Sequence, residues 1–162
     1  ERFYGHVRFA LIYFLGGVAG SIASVIFNGP DVQSVGASGA VFAIVGGEIA
    51  FLYHHRKLLG QVARARLRQL LLIAGLNFAI GLASSLTESA VSIDNWGHIG
   101  GFVGGVAHAW VITPVFNLKR HPDRPGAFTT EDINPLEDRF QALMIYVSVL
   151  LAALIAATLL LG

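Results

Sequence analysis

Apolar residues in this chain are gathered into long uninterrupted runs. Residues 9–27 contain no charged side chain, and neither do residues 140–161. Each run is long enough to cross the roughly 30 Å hydrocarbon core of a bilayer as a helix. Three more apolar runs, 36–53, 70–86 and 96–115, carry Glu48, Asn77 and the pair His98 and His108 as their main polar interruptions. The pattern predicts an all-α, polytopic membrane helix bundle with about five transmembrane helices. Asn28, Gly29, Pro30 and Asp31 are turn formers that end the first span. A basic loop is expected at 54–69 and a short polar loop at 87–95. Residues 117–139, with Pro122, Pro125 and Pro135, read as a loop or linker without periodicity.

Composition agrees with a membrane protein and removes several alternatives. Of 162 residues 54% are apolar and 13% charged, and the mean hydropathy is +0.65, which argues against an ordinary water-soluble domain. A net charge of +1 gives no case for nucleic acid as a partner. The absence of cysteine excludes disulfides, thiolate metal sites and a cysteine nucleophile. Arg56, Lys57, Arg64, Arg66 and Arg68 fall between two spans with no acidic residue among them, which marks that segment as cytoplasmic and in contact with anionic lipid. Glu48, about a turn earlier, is expected to pair with one of these arginines, and Asn77 to bond to a neighbouring helix. In a prokaryote the protein would lie in the plasma membrane.

The candidate chemistry begins at Ser38, which stands among Gly36, Ala37 and Gly39 at the start of the second span. One reading is a helix cap flanked by small residues for close packing. The other is a nucleophile, left uncrowded by its glycines, with the free amides of Ala37, Ser38 and Gly39 at a helix N-terminus facing a developing oxyanion. Topology bears on the choice. If 54–69 is cytoplasmic, the second and fourth spans both start on the opposite side, so Ser38 and His98 share one end of the membrane at shallow depth. Gly101 and Gly105 follow His98 at i+3 and i+7 on its own helical face, so with Gly97 they would allow tight packing on the second span. A histidine in that setting needs a protein partner, and a Ser38–His98 pair supplies one. Asp94 stands where an N-cap is expected, a reading preferred to a third triad member. Phe42, one turn beyond Ser38, is placed to stack on the imidazole. His54, His55, His108 and His121 look incidental, and Gly16 and Gly20 suggest close helix contact in the first span.

Two motifs together resemble the rhomboid family of intramembrane serine proteases: Gly36-Ala37-Ser38-Gly39, and the stretch from Asn95-Trp96-Gly97-His98 through Gly100-Gly101 to Gly104-Gly105 two spans later. The similarity runs over residues 1–115. It implies a dyad in which Ser38 attacks a peptide carbonyl and His98 serves as base and then acid, with Phe42 stacked on the histidine and no metal or cofactor. The implied substrates are transmembrane segments of other proteins, entering sideways from the lipid bilayer and cut near their outer ends. The family's further oxyanion residues, a histidine and an asparagine on an earlier helix, have no counterpart here. Residues 1–115 are accordingly expected to be a catalytic core lacking its first two helices, 116–139 a cytoplasmic linker and 140–162 an additional C-terminal transmembrane helix. On that expectation the 162 residues alone would be a poor protease. The competing readings are a non-catalytic rhomboid-like protein that binds or escorts transmembrane clients, and a transporter, which should carry more intramembrane charge than Glu48.

Overall fold

The computed structural model describes residues 1–29, 37–86 and 93–161. Pro30, Asp31 and Gly36, most of the expected polar loop (87–92) and Gly162 lie outside the described residues. Five helices dominate: α1 (Gly5–Asn28), α2 (Ser38–His54), α3 (Arg56–Ser85), α4 (Asn95–Ile112) and α5 (Phe140–Leu161). Three segments, Gly5–Asn28, Arg56–Ser84 and Leu136–Leu160, are long and apolar enough to cross a membrane. The two shorter helices, α2 and α4, pack on each other and on α1 to form the centre, with α3 against α2 and α5 against α1. The bundle expected from the hydrophobic pattern is the fold observed.

Glycine sets the spacing of the three central helices. A methyl group added at Gly101 would overlap the Gly39 carbonyl, and one at Gly105 would overlap the backbone of Ala43. One at Gly20 would sit 2.7 Å from the carbonyl oxygen of Gly97, and one at Gly46 would sit 2.6 Å from that of Phe102. Ala43, fully buried, is pressed from the other side by Gly16. Backbones approach this closely only where no Cβ intervenes. At the opposite end of these helices Tyr4, Ile12, Phe51, Ala109 and Ile112 form a compact apolar cluster, where the Tyr4 hydroxyl donates to the Gly47 carbonyl at 2.7 Å.

Several boundaries differ from expectation, each for a local reason. α4 stops at Ile112, short of 115, because Thr113 precedes Pro114 and is held extended (φ −58°, ψ 125°). The basic segment 54–69 is mostly helix, not loop: its Ala, Leu, Gln and Arg residues favour helix, and it is interrupted only by the turn at His55 between α2 and α3 and by a kink at Gly60, whose φ of 53° suits glycine. α3 therefore begins at Arg56. Glu48 accepts two hydrogen bonds from Arg66, at 2.6 and 3.2 Å, tying α2 to α3 as the sequence suggested. Asn77 does not reach a neighbouring helix; it donates to Ile73 O, 2.8 Å away on its own helix, the nearest acceptor on an exposed face.

The expected linker is also folded. β1 (Phe116–Arg120) and β2 (Phe128–Asp132) pair antiparallel, with Phe116 opposite Asp132 and Arg120 opposite Phe128. A 3-10 turn, Leu136–Arg139, then leads into α5. The strands are short enough that their alternation is lost among Pro122, Pro125 and Gly126, which fall in the connection between them, and Pro135, which precedes the turn into α5. Their base is clamped to the helix ends. Arg8 donates to Asp132 and to the carbonyl of Asn134, both at 2.8 Å, and the Asn134 amide donates to the carbonyls of Val111 and Thr113. Burial acts to raise the Asp132 carboxyl, but the amides of Asn134 and Val115 and the Arg8 guanidinium outweigh it and hold it below its ordinary value.

Two glycines that look alike in sequence should therefore respond in opposite directions. Gly101→Ala is expected to lower the melting temperature in detergent by the equivalent of about 1–3 kcal/mol, the usual cost of overpacking. Gly75→Ala on α3, where an added methyl meets nothing within 4 Å, should be neutral or stabilising by about 0.5–1 kcal/mol. Thermal unfolding of both variants checks this, and equal effects would contradict the packing described.

Candidate active site

Ser38 is the first residue of α2 and does not cap it: the N-cap position belongs to Ala37, and no side-chain cap bond is made. Its side chain is exposed and lines a cavity of about 120 Å³ between α1, α2 and α4, together with Gly20, Ser21, Gly39, Asp94 and Gly97. Val41 N–H closes the first helical turn on the Ala37 carbonyl at 3.0 Å. The amides of Ser38 and Gly39 precede it and have no acceptor within the helix, which leaves them able to receive negative charge.

His98 lies in the first turn of α4 and is 8% exposed. Its ring stacks on Phe42 with centroids 4.4 Å apart and planes inclined by 22°. Phe42 stacks in turn on Phe78 of α3 at 5.1 Å, and Phe78 meets Phe102 edge-on. The imidazole is thus held in a ladder of rings that crosses three helices. Its Nδ1 is buried and has no hydrogen-bond partner. Gly39, next to Ser38, abuts the carbonyl of Gly97, next to His98: a methyl on Gly39 would lie 3.1 Å from that oxygen. The two helices so bring the neighbours of Ser38 and His98 into contact, while Ser38 Oγ and the imidazole form no hydrogen bond with each other. His98 does not line the cavity that Ser38 faces.

Asp94 caps α4, accepting from Gly97 N–H at 2.8 Å, and receives a second bond from Asn28 at 2.8 Å. It bridges the end of α1 and the start of α4, and so sets where the helix carrying His98 begins. The stacked pair Phe27 and Trp96, 4.3 Å apart, reinforces the same junction. Among the described residues no group of His, Asp and Glu side chains converges as a metal site would.

Two histidines that the sequence left as incidental have structural work. His55 is buried, donating from Nδ1 to the Phe51 carbonyl at 2.9 Å and accepting at Nε2 from Phe116 N–H at 3.3 Å. His108 is buried against α5, stacked on Tyr146 with centroids 4.7 Å apart, while the Tyr146 hydroxyl donates to the Gly104 carbonyl. Spacing offered no signal for either, because Phe116 and Tyr146, the partners that cover them, lie on segments distant in sequence.

The family model described as the rhomboid domain matches residues 1–115. The chain belongs to the rhomboid family. It is 40% identical over 105 residues to the Rhomboid protease GluP of Bacillus subtilis, an alignment that covers 65% of this chain and 18% of that protein. It is 33% identical over 129 residues to RHOMBOID-like protein 4 of Arabidopsis thaliana, covering 78% of this chain and 30% of the relative. Inactive rhomboid protein 1 of Rattus norvegicus is 35% identical over 118 residues, with 73% of this chain and 13% of that protein covered. This rhomboid chain thus spans less than a third of the length of each of these relatives, and they include a protein named as a protease and one named as inactive. No solved structure matches at a significant level.

If Phe42 holds the His98 ring, removing it should expose the imidazole. Phe42→Ala is expected to raise the rate of His98 modification by diethyl pyrocarbonate several-fold, read by mass spectrometry, while Phe42→Tyr leaves the rate unchanged. Equal rates in wild type and Phe42→Ala would show that the stack is incidental.

Proposed function

We propose that this rhomboid chain is the catalytic part of an intramembrane serine endopeptidase. The observation that carries the reading is a serine that caps nothing, faces an open cavity at a helix N-terminus, and stands one residue from the contact that positions a buried histidine. On this proposal Ser38 Oγ attacks the scissile carbonyl as its proton passes to His98. The carbonyl oxygen, now negative, is met by backbone amides around Ala37, Ser38 and Gly39. His98 then protonates the departing amine, leaving an acyl-serine. Water attacks that ester while His98 takes its proton, and return of the proton to Ser38 releases the carboxylate product. Catalytic hydrogen bonds are often loose before substrate binds, so the proposed dyad closes with the substrate in place. The substrates proposed are transmembrane segments of other proteins, admitted from the bilayer and cut near the non-cytoplasmic face.

A second reading, a non-catalytic member that binds transmembrane clients, draws on the open Ser38–His98 geometry and on the similarity to a relative named as inactive. Activity separates the two. In the full-length protein in liposomes, Ser38→Ala and His98→Ala should each cut cleavage of a transmembrane substrate by roughly 10⁴-fold or more, with the double variant hardly worse, because a dyad acts as a unit. Membrane insertion and melting temperature should be unchanged. Substantial residual cleavage in Ser38→Ala would overturn the mechanism, and client binding without cleavage in the wild type would favour the second reading.

A further inference from the structure

The β1–β2 hairpin presents two unlike faces. In an antiparallel pair, directly opposed residues point to the same side and alternate along each strand. Phe116 with Asp132, Leu118 with Thr130, and Arg120 with Phe128 therefore share one face, while Asn117 with Glu131 and Lys119 with Thr129 share the other. The second face is polar and crossed by a Lys119–Glu131 ion pair. The first carries Leu118 and Phe128, which are 52% and 65% exposed, with Arg120 beside them and without an ion-pair partner among the described residues. An exposed leucine and phenylalanine next to this cation form a surface suited to an occupant that is apolar and anionic at once.

The base of the hairpin fixes which way this face looks. Phe116 packs with its ring centroid 5.7 Å from His55 and 6.4 Å from Phe51, and its amide bonds to His55. The Phe116 side is therefore turned toward the ends of the central helices. Arg8 and Asn134 hold the other strand to α1 and α4. The hairpin leaves α4 just after Ile112 and returns to a membrane-length apolar segment that begins at Leu136. Both ends thus emerge at the surface of the same bilayer, and at about 3.3 Å per residue the strands reach only roughly 15 Å from Phe116. From a clamped base that short, the face of Leu118 and Phe128 meets the plane where the helices leave the lipid.

We infer that the Leu118, Arg120 and Phe128 face of the hairpin lies on the membrane surface, with the two apolar side chains in the headgroup boundary and Arg120 on anionic lipid headgroups. Aromatic rings favour that boundary, an arginine stem can lie along it while its guanidinium reaches phosphate, and anionic headgroups attract such cations. Arg56 and Lys57, directly after His55, add positive charge at the same end of the bundle. The hairpin would then fix the height and tilt of α4 and α5 in the membrane. This requires the membrane-embedded fold and not proteolysis.

The test uses the full-length protein with single cysteines at position 129 or 130, which lie on opposite faces of β2 at exposed threonines, any other cysteine being replaced. Each is labelled with bimane and reconstituted into nanodiscs of phosphatidylcholine, alone or mixed with phosphatidylglycerol, that contain a lipid nitroxide near the headgroup. Position 130 should be quenched several-fold more than position 129, and more strongly with phosphatidylglycerol. Arg120→Gln should remove the phosphatidylglycerol increment, and Leu118→Ser with Phe128→Ser should bring position 130 down to the level of 129. Equal quenching at the two positions would overturn the inference. So would a label at 130 shielded from both the lipid nitroxide and aqueous iodide, since that face would then be covered by a protein partner or a second copy.

Discussion

The approach of α4 to α2, backbone against backbone, is the constraint on which the rest of the structure depends. In a bilayer the hydrophobic effect does little to drive one apolar helix onto another, so association rests on packing and on bonds across the interface. Here the packing is made by absent side chains: Gly101 lies on the Gly39 carbonyl, Gly105 on Ala43, and Gly20 on Gly97. Each helical glycine costs about 1 kcal/mol in propensity relative to alanine, a cost that the close contacts must offset. What is gained is position, because the contact falls one residue from Ser38 and one residue from His98. The Phe42–His98 stack and the Asp94 cap then set the ring and the helix start around that contact.

Sequence was a good guide to this centre because the information is local. A serine among small residues, and a histidine followed by glycines on one helical face, can be read from spacing alone, and so could the pairing of Glu48 with an arginine of the basic segment and the Asp94 cap. Some of the parts that escaped depend on segments far apart in the chain. His55 is buried because Phe116 comes back to it, and His108 because Tyr146 of α5 does. The hairpin was hidden because its strands are short and bounded by proline, and the helical nature of 54–69 because a dense run of arginines was read as solvated loop. The Ser38–His98 distance is a matter of side-chain conformation, which spacing does not define.

The fold also separates two questions that the family leaves joined. Membership follows from residues 1–115 and the glycine-packed bundle, and it is compatible with relatives named as a protease and as inactive. Catalysis turns on a smaller matter, whether the imidazole held by Phe42 takes the proton of a serine whose side chain faces open space.

The most direct measurement is covalent labelling of the full-length protein in a bilayer with a fluorophosphonate, which reacts preferentially with a serine activated by a base. An adduct is expected at Ser38, located by peptide mass spectrometry and lost in His98→Ala. An unmodified Ser38, or an adduct undiminished in His98→Ala, would contradict it.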